Sequence, residues 1–131
     1  MTGTSSIPVL DLGGLLLISV QGELADDAAV ELQTDVTAAV ARTGSRGLII
    51  DISSLEVVDS FLARVLVEVA LASRLLAART VLVGMRPAVA ITLVELGLAL
   101  DGMATARTVT DAAAGFGVAI TASDTAGRAA T

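Results

Sequence analysis

The sequence contains no histidine, cysteine, lysine, tryptophan or tyrosine, and its aromatic side chains are Phe61 and Phe116 alone. Each absence removes a class of chemistry. Without His or Cys there is no Ser-His or Cys-His catalytic pair and no thiolate nucleophile. The usual zinc sites, and haem ligation through His or Cys, lack their ligands. No disulfide can form, which excludes a disulfide-stapled secreted scaffold. Without Lys there is no Schiff-base chemistry and no P-loop lysine. Aromatic platforms for base stacking are missing. The first cationic side chain is Arg42, so a secretory n-region is lacking. The longest uncharged stretch, Ala112 to Ser123, has 12 residues, whereas a membrane span needs about 20 apolar ones.

What is present is one domain's worth of chain, 131 residues, large enough to bury its own core. The net charge is -6, from 14 acidic residues against 8 arginines. An acidic chain with singly scattered arginines is a poor binder of nucleic acid or anionic membrane. The expected location is the cytoplasm. The apolar fraction is 54% and the mean hydropathy +0.83. Either some apolar surface is reserved for partners, or the composition is simply biased toward Ala and toward Arg in place of Lys.

Residues 1–6 read as a flexible start, 7–118 as the domain and 119–131 as a frayed tail. Ile7 to Leu12 reads as a short strand, with Pro8 marking an edge or a strand beginning. Gly13-Gly14 is a tight-hairpin signal, so Leu15 to Val20 should return antiparallel. Asp26-Asp27 opens an amphipathic helix with Ala28, Leu32, Val36, Ala39 and Val40 on its stripe, ended by Gly44. Gly47 to Ile52 is a buried strand and Ser53 to Asp59 a loop. Ser60 to Ala78 is helical and apolar around most of its circumference. Val81 to Val83 is a strand and Gly84-Met85-Arg86 a loop. Pro87 opens a third helix, with Val89, Leu93, Val94 and Leu96 at helical spacing and Gly97 as its cap. Met103 to Val109 is weak strand. Thr110-Asp111 caps a short helix from Ala112 to Phe116. The expectation is a single α/β domain. Its mixed, mostly parallel sheet carries an N-terminal antiparallel hairpin and about four helices, joined by right-handed crossovers.

In such sheets function collects where strands run into helices. Two loops qualify, Asp51 to Phe61 and Gly84 to Pro87. Ser60 reads either as the N-cap of the second helix or as a phosphorylation site. A phosphate there would meet a helix start, and it would add about -1.5 to -2 charges beside Asp59, Glu56 and Asp51. A nucleophilic Ser60 lacks a base. Asp51, Glu56 and Asp59 could in principle hold Mg²⁺, but they read more simply as loop charges and caps. Arg64, one turn after Ser60, either orients a phosphate or partner carboxylate or pairs with Glu68. Thr92 reads as a partly buried helix threonine. No cofactor motif is present.

Asp51-Ile52-Ser53-Ser54-Leu55-Glu56-Val57-Val58-Asp59-Ser60 resembles the signature of STAS domains, the anti-sigma-factor-antagonist family. The continuations Phe61 to Leu66 and Val81 to Gly97 resemble its RsbS branch, the single-domain stressosome scaffolds, as does the start from Ile7. The likeness runs from about Ile7 to Ala114. It implies a non-catalytic regulatory scaffold of a stressosome-like complex. Such scaffolds co-assemble with RsbR-type STAS proteins, sequester an RsbT-type switch serine kinase and are reset by a PP2C-type phosphatase. It implies Ser60 as phosphoacceptor and Thr92 as a secondary one. Glu56, Asp59, Phe61, Arg64, Met85, Arg86 and Pro87 become candidate partner contacts. Two alternatives remain: a free anti-anti-sigma factor binding an anti-sigma kinase, and a small-ligand or nucleotide-binding STAS module.

Overall fold

Gly13 and Gly14 sit at φ 66° and 90°, angles that only glycine adopts without strain. The turn they make is held by Gly14 N–H donating to Asp11 Oδ1 at 3.1 Å. It folds β1 (Val9–Asp11) antiparallel onto β2 (Leu15–Ser19), with Val9 opposite Ile18. The computed structural model describes residues 9–21, 26–97 and 103–120. Ile7, Pro8, the expected flexible start and the tail from Thr121 lie outside these residues.

The rest of the sheet is parallel. β2 pairs with β3 (Gly47–Asp51), β3 with β4 (Arg79–Val83) and β4 with β5 (Met103–Ala106), in the order β1-β2-β3-β4-β5. The helices are α1 (Asp26–Thr43), α2 (Ser60–Leu75), α3 (Pro87–Glu95) and α4 (Val109–Gly115). The architecture matches the expected mixed sheet with its antiparallel start.

The unbroken apolar run of β3 follows from burial on both faces. Leu48 and Ile50 join Leu16, Ile18, Leu82 and the inner faces of α1, α2 and α3. Ile49 joins Leu15, Val81 and Val83 under α4, where Phe116, Val118 and Ile120 also pack. Gly47 makes room for the Phe116 ring, since a Cβ there would lie 2.7 Å from it. Arg79 lies over that ring at 5.4 Å, and Arg46 donates to the Phe116 carbonyl at 2.9 Å.

Several expected boundaries move. On α1 the buried residue is Ala29 rather than Ala28, with Leu32, Val36, Ala39 and Val40 as expected. α2 stops at Leu75, not Ala78, because Ala77 turns to φ 67°. Ala78 N–H then donates to the Ser73 carbonyl and Ala77 N–H to that of Arg74, the paired bonds of a Schellman cap. On α3 Val89 and Leu93 face the core, whereas Val94 is 79% exposed and Leu96 is exposed as well. A nine-residue helix laid on a sheet buries only the pair four positions apart. β5 ends at Ala106, and α4 starts earlier than expected. Thr108 is its N-cap and accepts from Asp111 N–H at 3.0 Å.

Candidate functional site

The candidate site lies at the carboxyl ends of β3 and β4. Asp51 ends β3, and its Oδ1 accepts from Ser53 N–H at 2.9 Å. The loop is pinned from below by Leu55 and Val58, both buried, so Ser53, Ser54, Glu56 and Val57 are held outward and exposed. Asp59 then caps α2. Its backbone is extended at φ -88° and ψ 174°, and its Oδ1 accepts from Leu62 N–H at 2.8 Å.

This corrects one reading of Ser60: the capping residue is Asp59, and Ser60 is the first helical residue. An N-cap needs non-helical φ and ψ with its side chain turned back to the third amide beyond it, and Asp59 has both. Ser60 is exposed. Among the described residues its hydroxyl has no hydrogen-bond partner. Phe61 beside it is 36% exposed. Arg64 is exposed one turn further on and forms no ion pair with Glu68. The pairing allowed by their spacing is not made.

The second loop docks on the first. Gly84 has φ 75°, and a Cβ there would lie 2.7 Å from Ser53 Cβ. Arg86, the N-cap residue of α3, donates from Nε to the Ser53 carbonyl at 2.9 Å. Pro87 takes the first helical turn of α3. Met85 is half-buried and packs against the core. Residues far apart in sequence thus meet at the carboxyl ends of β3 and β4, where Gly84 and Arg86 lie against Ser53. Ser53 and Gly84 are the positioning residues that sequence reasoning passed over. The glycine directly after a buried strand was the available signal.

Thr92 lies on α3, half-buried, and its hydroxyl donates to the Ala88 carbonyl at 3.0 Å. Among the described residues no three acidic side chains group as metal ligands. Asp51 and Asp59 are engaged with backbone amides. No helix among the described residues is long and apolar enough to cross a membrane.

Residues 6–112 match the STAS domain family. The chain belongs to that family. Solved STAS structures superpose closely. A serine-to-glutamate variant of RsbS from Moorella thermoacetica is 37% identical with a TM-score of 0.75, over 85% of this chain and 97% of that one. A chain from a structure of the stressosome, a signal integration and transduction hub, is 38% identical with a TM-score of 0.73, over 84% and 98%. The RsbT co-antagonist protein RsbRA of Bacillus subtilis is 29% identical over 103 residues, which make up 79% of this chain and 37% of that protein. The chain therefore spans little more than a third of RsbRA. These relatives are named as antagonists and assembly components, and the family places this STAS domain in regulation.

Proposed function

We propose that the protein is a non-catalytic scaffold of a stressosome-like complex in the cytoplasm. It binds and sequesters an RsbT-type switch serine kinase, and phosphorylation of Ser60 releases that kinase. RsbR-type STAS proteins are its assembly partners, and a PP2C-type phosphatase resets it. The observation that carries the reading is the state of Ser60. Its hydroxyl is exposed on the first residue of α2 and unpartnered among the described residues, because Asp59 has taken the cap.

A phosphate there would add about -1.5 to -2 charges beside Glu56 and Asp59. A partner docked on that rim would meet like charge. Phe61, Arg64, Met85, Arg86 and Pro87 make up the remainder of the candidate docking surface. Thr92 is a secondary phosphoacceptor whose bond to Ala88 would have to break first.

The test is mass spectrometry of the protein after incubation with an RsbT-type kinase and ATP. Ser60→Ala should take up no phosphate yet still bind the kinase. Ser60→Asp should bind more weakly. Equal phosphorylation of wild type and Ser60→Ala would overturn the assignment. Size-exclusion chromatography with an RsbR-type partner tests the scaffold role, and failure to form any large assembly counts against it.

A further inference from the structure

The inner side of α2, from Leu62 to Val69, is buried in one core with residues of α1, α3 and the sheet. Its outer side is a single narrow stripe. Phe61, Arg64, Glu68, Leu71 and Leu75 are all exposed. They recur at steps of three, four, three and four residues. With 3.6 residues per turn, the five fall within about 80° of the helix circumference. Alternating steps of three and four are the seam pattern by which one helix packs along another. Leu71 is 46% and Leu75 88% exposed, so apolar surface is left uncovered along this line.

The two charges in the middle of the stripe are unpaired. Arg64 and Glu68 make no ion pair with each other or with any other described residue. Arginine four residues before glutamate is the weaker order for a pair within one helix. From Phe61 to Leu71 the stripe runs apolar, cationic, anionic, apolar. Laid against itself end to end, it sets cation on anion and apolar on apolar.

We propose that this stripe docks a second copy of the chain, with the two α2 helices antiparallel. Arg64 of each copy then lies against Glu68 of the other, and Phe61 of each against Leu71 of the other. Both pairings belong to one register, because each is centred on position 66. A parallel second copy would instead set Arg64 on Arg64 and Glu68 on Glu68, which like-charge repulsion disfavours. Charge complementarity thus selects both the partner and its direction. A contact of one 16-residue helix per copy belongs with small, weak interfaces, below about 1,200 Å². The dimer therefore forms at high protein concentration. The pairing needs neither a kinase nor a phosphate. It does use Phe61 and Arg64, so a second copy and another partner docked on them exclude each other.

The test is sedimentation equilibrium of the full chain alone, from micromolar to millimolar concentration. The expected result is a reversible equilibrium between monomer and dimer. Arg64→Glu and Glu68→Arg each bring like charges together and should weaken association by about tenfold or more. An equimolar mixture of the two variants should recover it, because the altered stripe of one is again complementary to that of the other. Both positions are exposed, so the thermal midpoints should stay close to that of wild type. Three results would overturn the proposal. They are a chain that stays monomeric throughout, single variants that associate as wild type does, and a mixture no more associated than its components. None of them bears on phosphorylation of Ser60, which mass spectrometry reads separately.

Discussion

Asp59 and Ser60 are neighbours with different tasks. Asp59 stabilises the start of α2 by accepting from Leu62 N–H, while Ser60 leaves its hydroxyl to solvent. Asp59→Ala should therefore destabilise the fold by about 1 kcal/mol. Ser60→Ala should stay within about 0.5 kcal/mol of wild type. Urea unfolding of the two variants checks this, and the reverse order would make Ser60 the cap. Both residue types cap helices well, so adjacency in the sequence leaves the choice open. The extended backbone at Asp59 decides it. The same holds for Arg64 and Glu68, which spacing permits to pair. Exposed ion pairs gain little over solvation and side-chain freedom, and here the pair does not form. Arg64 is left available to a partner.

At the scale of elements, helix ends divide into two kinds. α1, α3 and α4 are followed by Gly44, Gly97 and Gly117, all at positive φ, and these stops are readable as glycines. α2 ends instead on Ala77 at φ 67°, a conformation that crowds the Cβ of an L-residue. Ala77→Gly should raise stability by about 0.5–1 kcal/mol, the relief of strain exceeding the added freedom of the unfolded chain. Denaturant midpoints at constant m-value measure it, and a loss of stability would show that Ala77 is not strained. α3 shows a second limit of local reading. It is apolar nearly all round, so periodicity could not tell which residues face the sheet. Val89 and Leu93 do, leaving Ile91 and Val94 exposed. Leu71, Leu75 and Leu76 at the end of α2 are exposed too. The high mean hydropathy therefore resides partly on the outer surfaces of these two helices.

For the whole molecule, the decisive contact is the docking of the loop after β4 on the loop after β3. Gly84→Ala would place a Cβ against Ser53 in a strained backbone conformation and should lower stability by about 2 kcal/mol. Arg86→Ala removes the bond to the Ser53 carbonyl while leaving the core intact. Its expected effect is faster hydrogen exchange at the Leu55 amide, which donates to the Ile52 carbonyl inside the same loop, with the thermal midpoint nearly unchanged. Unaltered exchange there would mean that the loop is held by Leu55 and Val58 alone. On the opposite face, Gly47→Ala would push a methyl into the Phe116 ring and Leu15. It should cost about 1–3 kcal/mol, measured by thermal unfolding.

The missing residue types, the two-glycine hairpin, the apolar runs of buried strands and the Asp59-Ser60 pair were all determined by the sequence itself. They report composition and local backbone preference, which act over a few residues. Which of two capping residues caps, which face of α3 is buried and how the two loops meet were decided only by tertiary structure. Arg86 and Ser53 are 33 residues apart, and they meet because β3 and β4 are neighbours in the sheet. The outward stripe of α2 has the same origin. That helix is apolar around most of its circumference, and burial of its inner side with α1, α3 and the sheet is what leaves Phe61, Arg64, Glu68, Leu71 and Leu75 outside.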